Sequence, residues 1–225
     1  MKSIQNLLAL LLLSFPLPTL QSTPQYAIFF DPGVPITLVL HTSHPSLLPS
    51  PEVDTSKTRL QFQSTLIIPG ASPNPSPNNI QAVWPGLQPA SDSFVFQTVV
   101  ESASGGPDTW WIEPQVYCAP QILYGERNQL FPGDSLKSIF QLQPDGQMAL
   151  WWYNTPGWQG NPPSDTTFSG SAIMNPQTYP NGGPLTKAVL SIEIQGTAGV
   201  WDFGNVLFGE VVVTAQTTDM SWCEP

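Results

Sequence analysis

The chain has 225 residues, with 16 acidic against 6 basic side chains and a net charge of −10. That length suits one domain with a core large enough to fold alone, and 40% hydrophobic residues with 8 Trp exclude a disordered chain despite 26 prolines. Neutralising phosphates needs clustered Lys and Arg; here Lys2, Lys57, Arg59, Arg127, Lys137 and Lys187 are scattered, which excludes nucleic acid as a partner.

Lys2 precedes the apolar run Leu7–Phe15, then Pro16, Pro18 and the small polar Ser22 and Thr23. This pattern predicts a secretory signal peptide over residues 1–22. The run is short of the ~20 apolar residues that span a bilayer, and no second long run follows. A soluble, secreted, extracellular monomer without a membrane partner is expected.

Residues 23–57 are an N-terminal segment rich in Ser and Pro over 42–57, and the sandwich domain is expected over 58–225. A second Ser/Pro stretch at 70–79 reads as a surface loop, because such runs make neither helix nor central strand. Strands are predicted at Arg59–Ile68, Phe94–Val100, Thr109–Gln115, Ser135–Leu142, Gln147–Tyr153, Lys187–Gln195 and Leu207–Ala215, from β-branched and aromatic runs bounded by Gly, Pro and Asn. Asp145-Gly146 has the chemistry of a two-residue hairpin turn. No window holds a helical period, so the fold class is all-β, an antiparallel sandwich or barrel.

Two of these strands alternate in an informative way. In Ala188–Gln195, Ala188, Leu190, Ile192 and Ile194 share one face, and Val189, Ser191, Glu193 and Gln195 the other. In Phe94–Val100, Gln97 shares its face with Val95 and Val99, an amide on a mostly apolar surface. Taken alone, each polar residue reads as an exposed group on a half-exposed strand.

Gly133-Asp134-Ser135-Leu136 spells the string of a lipase and esterase family. A serine nucleophile needs a histidine base, and the only histidines, His41 and His44, lie far upstream. The string is better read as a turn entering a strand. Two histidines three apart lack a third metal ligand, and no phosphate-binding loop occurs, so neither metal nor cofactor is expected. Cys118 and Cys223 are the only cysteines; in an oxidising compartment they are expected to pair, closing a loop of about 105 residues.

Several segments occur in an order that resembles one family. Trp84-Pro85-Gly86-Leu87 is followed by Phe96-Gln97-Thr98; then come Asp108-Thr109-Trp110-Trp111-Ile112-Glu113, Pro132-Gly133-Asp134-Ser135-Leu136, Ser191-Ile192-Glu193-Ile194, and Asp202-Phe203-Gly204-Asn205-Val206-Leu207-Phe208. Over about residues 82–213 this resembles the eqolisins, glutamic peptidases that are secreted, pepstatin-insensitive fungal acid proteases. The resemblance implies a concanavalin A-like sandwich of two bent antiparallel sheets and a protein or peptide substrate. It also implies a catalytic dyad of Gln97 and Glu193, with Trp84, Trp110, Trp111 and Glu113 binding substrate. Glu113 takes the family's acid position only with a shift of one residue, because alignment on Trp110 puts Ile112 there; such a shift reverses the face of the side chain.

Two rivals follow from the same residues. A non-catalytic carbohydrate- or surface-binding sandwich would stack polysaccharide on Trp110, Trp111, Trp151 and Trp152, although adjacent Trp residues on a strand point to opposite faces. A glycosidase would use Glu113 and Glu193, about 5–10 Å apart.

Overall fold

The structure is a computed structural model, and it describes residues 25–33, 60–74, 76–102, 109–117, 121–157 and 167–215. The expected signal peptide, most of the Ser/Pro-rich segment, both histidines, Cys118 and Cys223 lie outside these residues.

Twelve strands occupy the described residues: β1 Gln25–Phe30, β2 Leu60–Ile67, β3 Ile80–Pro89, β4 Val95–Glu101, β5 Trp110–Tyr117, β6 Ile122–Leu123, β7 Asn128–Leu130, β8 Ser135–Leu142, β9 Met148–Thr155, β10 Phe168–Met174, β11 Leu185–Gln195 and β12 Leu207–Thr214. A 3₁₀ turn at Pro176–Thr178 completes the elements. The strands form two antiparallel sheets, one of order β1-β11-β3-β4-β5-β6 with β7 also on β5, the other of order β10-β9-β8-β2-β12. The fold is the antiparallel β-sandwich expected from the strand pattern.

Alternation along each strand sends one set of side chains between the sheets. The seven-stranded sheet contributes Val83, Leu87, Phe96, Val100, Trp110, Ile112, Leu190 and Ile194; the five-stranded sheet contributes Phe62, Leu66, Leu136, Phe140, Leu150 and Trp152. Phe140 stacks on Phe62 and meets Phe96 edge-on across the sandwich, with centroids 5.5 and 5.7 Å apart. Each such ring removed from water contributes about 2–3 kcal/mol, so this layer holds the sheets together.

Ser135–Leu142 begins and ends where expected, and the other predicted strands are found with no end shifted by more than two residues. The Asp145-Gly146 turn is three residues long rather than two. Gly146 N donates to Gln143 O and Gln143 N to Gln147 O, with Gly146 at φ 84°. That is a turn around Pro144 closed by a left-handed glycine. Asp134 is buried and accepts from Phe131 N and Gly157 N, so the Gly-Asp-Ser-Leu string organises a turn at the start of β8. The loop at 70–79 is also polar and self-bonded: Ser72, Asn79 and Gln81 connect to Asp202 and the backbone of Val200.

Five strands escape the sequence reading, β1, β3, β6, β7 and β10, and the first two bear on the site. β1 lies within the segment assigned to a Ser/Pro-rich leader, yet pairs with β11 from Gln25 opposite Glu193 to Phe30 opposite Ala188. The sandwich therefore starts near residue 25, not 58. β3 is central in its sheet although it contains Pro85, Gly86 and Pro89. Its ladder with β4 runs Ala82/Glu101 and Val83/Val100, then resumes at Gly86/Gln97 and Leu87/Phe96. The gap falls at Pro85, which has no N–H to give.

Candidate active site

The face of the seven-stranded sheet turned away from the other sheet carries the candidate residues. On β11 these are Val189, Ser191, Glu193 and Gln195, as the alternation predicted; on β4 they are Val95, Gln97 and Val99. A second apolar cluster, Ala82, Trp84, Val95, Val99 and Val189, floors this face. Above it opens a cavity of about 170 Å³ whose lining includes Trp84, Gln88, Gln97, Glu113, Gln115 and Glu193. Gln97 and Glu193, about a hundred residues apart in sequence, thus reach one hollow from the same face of the same sheet.

Their placement follows from the register. Glu193 pairs with Ala82 and Ser191 with Trp84, while Gly86, four residues beyond Ala82, pairs with Gln97. β3 lies between the two strands, and Trp84 lies between their rows. In a flat sheet of this register the two Cα atoms would be roughly 16 Å apart. Both side chains line the one hollow on this face.

Glu193 is 8% exposed. Its carboxylate accepts from Gln195 Nε2 at 2.7 Å and from the Trp84 indole. Burial pushes its pKa above the ordinary carboxylate value, and the two donors only partly oppose that rise. Gln97 is 4% exposed, and its side-chain oxygen is buried without a hydrogen-bond partner. Gly86 makes room for this amide: a Cβ there would stand 2.9 Å from Val95 Cγ2 and 3.1 Å from Gln97 Cβ.

Glu113 settles its register question by facing the cavity, opposite Val99 on β4. It is tied to its surroundings: the Arg127 guanidinium pairs with both Glu113 and Glu101. Burial is the main cause of its raised pKa; the Glu101 charge adds to the rise, Arg127 opposes it, and the hydrogen bond that protonated Glu113 donates to Glu101 adds further.

Trp84 is 2% exposed and lies beneath the cavity as floor and as a donor to Glu193. Trp111 shares the outer face with Glu113, is half-buried, and has a buried indole N–H without a partner. Trp110 corrects the substrate-binding expectation. It is fully buried between the sheets, packs edge-on against Phe203 at 5.5 Å and donates to Gly70 O at 3.3 Å, so it cannot meet a ligand on the opposite face. Trp152 likewise belongs to the inter-sheet core, which removes two of the four rings from a stacking platform.

Sequence reasoning missed Gln88, Glu101, Gln115 and Arg127. Gln115 pairs directly with Gln97 and accepts from Gln121 Nε2 at 2.5 Å. The alternation of β5 held the signal for Gln115, since it shares parity with Glu113. Arg127 is carried by the turn after β6, and nothing local in sequence points it at Glu101 and Glu113. Among the described residues no group of three His, Cys, Asp or Glu could hold a metal ion, and no helix is long and apolar enough to cross a membrane.

The geometry defines a sandwich with a buried acid and a buried amide on its outer sheet face. In solved structures that fold is found in SCP-B, a member of the eqolisin family of peptidases in complex with the tripeptide Ala-Ile-His, at 16% identity and a TM-score of 0.50 over 88% of this chain and 82% of that one. Scytalido-glutamic peptidase with a peptide-based transition state analog is also similar, at 15% identity and a TM-score of 0.48, covering 88% of this chain and 74% of that one. No protein-family model matches the sequence, and no curated protein matches it. The chain is therefore eqolisin-like in fold.

Proposed function

We propose that the protein is a secreted acid endopeptidase of the glutamic type, with Glu193 as general acid/base and Gln97 as its partner. The observation that carries this reading is the shared cavity, lined both by Glu193, a buried carboxyl of raised pKa, and by Gln97, whose buried side-chain oxygen has no partner. A buried polar atom left unpaired costs about 1–3 kcal/mol, an expense that a site for water and substrate explains.

The chemistry follows from the groups. The ionised fraction of Glu193 takes a proton from a water held between the two side chains as the water oxygen attacks the scissile carbonyl carbon. The Gln97 amide orients that water through its oxygen and donates an N–H to the oxyanion. Glu193 then passes the proton to the leaving amine as the C–N bond breaks, returning to its starting state. Trp84, bonded to the carboxylate, fixes its direction. The peptide bound by SCP-B suggests a peptide substrate for this chain too.

The glycosidase reading is disfavoured because Glu113 is engaged by Arg127 and Glu101. The stacking-platform reading is disfavoured because Trp110 and Trp152 are core residues. The test is kinetic, on a fluorogenic peptide in acid: Glu193→Gln should lose about 10³ in kcat and Gln97→Ala about 10². Wild-type rates in Glu193→Gln would overturn the proposal.

A further inference from the structure

The cavity extends past Gln97, away from Glu193, to a residue that the mechanism does not use. Gln88 follows Gly86 by two positions on β3, so it lies on the same face and diagonal to Gln97, at a distance of about 7–8 Å between such neighbours. It lines the cavity, is 3% exposed, and its side-chain oxygen is buried without a partner. Two residues with orphaned amide oxygens thus line one hollow in succession. Buried polar atoms in folded proteins are nearly always satisfied. This pair marks where something else supplies the donor.

The surroundings limit what that can be. Lys187 pairs with Gln88 across the β3–β11 ladder, but its ammonium is spent on Asp92, at 2.8 and 3.0 Å. A cationic group entering beside Gln88 would meet an ammonium, and an anionic one would meet Asp92 and the two carbonyl oxygens. A purely apolar group would leave both oxygens unpaired. A neutral primary amide fits: it offers a donor and an acceptor at once, so it pairs with Gln88 whichever way that amide turns. The cavity from Gln88 to Glu193 is about 170 Å³ as a whole, near the ~150 Å³ that accommodates a benzene ring, so the group beside Gln88 must be small.

We propose that Gln88 forms a side-chain subsite beside the Gln97 position that selects a substrate Gln or Asn. This rests on the peptidase reading for its substrate, while its binding step can be measured without catalysis. Preference is conferred by the donor that the ligand brings to Gln88, with Val95 and Phe94 contributing the apolar wall.

The test uses a set of peptides identical except that Gln or Leu occupies each position in turn. Binding is measured by calorimetry in acid on the full-length Glu193→Gln protein, and cleavage is measured separately on wild type. At one position the Gln peptide should bind about tenfold more tightly than the Leu peptide, the worth of one neutral hydrogen bond. That ratio should fall to about one in Glu193→Gln/Gln88→Leu, and recover in part in Glu193→Gln/Gln88→Asn. Equal affinities at every position, or a preference that survives Gln88→Leu, would overturn the subsite. Cleavage by wild type without preference would refute the subsite and keep the peptidase; preferential binding without cleavage would do the reverse.

Discussion

The two faces of the seven-stranded sheet are built from alternate residues of the same strands, yet they obey different rules. Inward, Val83, Leu87, Phe96, Val100, Trp110 and Ile112 form a close-packed apolar layer broken by the hydroxyl of Thr98. Outward, Trp84, Val95, Val99 and Val189 make a thin apolar floor that supports Gln88, Gln97, Glu113, Gln115 and Glu193. The inner face gains stability from its apolar side chains and carries an unpaired buried hydroxyl, that of Thr98. The outer face gives some up, in buried carboxyls of raised pKa and in unpaired amide oxygens. Sites commonly carry such strain while the scaffold supplies the compensation.

That contrast can be broken by substitution. Glu193→Gln is expected to have the largest effect, a loss of about 10³ in kcat, equivalent to about 4 kcal/mol in the barrier. It should also make the folded state more stable at neutral pH. The sign follows from linkage: a carboxyl whose folded pKa is raised contributes stability that is fully present below its unfolded value and lost as pH rises through the folded value. Melting curves should therefore show Glu193→Gln above wild type near neutrality, with the two converging in acid.

On the inner face, Trp110→Ala should cost about 3–5 kcal/mol by urea titration, since it opens a large cavity beside Phe203. If Trp110 bound substrate instead, its loss would raise KM in protein that remained fully stable. Gln97→Leu should do the opposite of Trp110→Ala, stabilising the fold by about 1 kcal/mol while abolishing most activity, because it replaces an unpaired buried oxygen with methyl groups. Destabilisation by Gln97→Leu would mean that the amide has a structural partner. The smallest effect belongs to Arg127→Met, below about 1 kcal/mol, since the guanidinium side chain is 41% exposed. Its cost should appear near neutral pH, where Glu101 and Glu113 repel, and fade in acid as Glu113 takes its proton.

How far these features were legible depended on whether the signal was local. Strand β8 has clean alternation between a Pro-Gly-Asp turn and a Pro-Asp-Gly turn, and both ends were read correctly. Period-two alternation put Glu193 and Gln97 on the outward face, but their expected exposure was wrong: both are buried beneath the hollow. β3 was hidden by its prolines, which a single-sequence reading treats as strand breakers; only the pairing with β11 on one side and the interrupted ladder with β4 on the other explain why Pro85 is tolerated. β1 was hidden because an edge strand has one neighbour and needs little pattern. Arg127 could not have been joined to Glu101 and Glu113 without the fold, because an ion pair between a loop and two strands leaves no spacing to read. The one-residue ambiguity at Trp110-Trp111-Ile112-Glu113 was real, and the β4–β5 register resolves it by setting Glu113 opposite Val99.

The most direct measurement is digestion of an acid-denatured protein by wild type and Glu193→Gln side by side, with pepstatin present and both enzymes shown to be folded. The account predicts fragments from wild type and none from the variant. Cleavage by Glu193→Gln at the wild-type rate, or no cleavage by folded wild type, would contradict it.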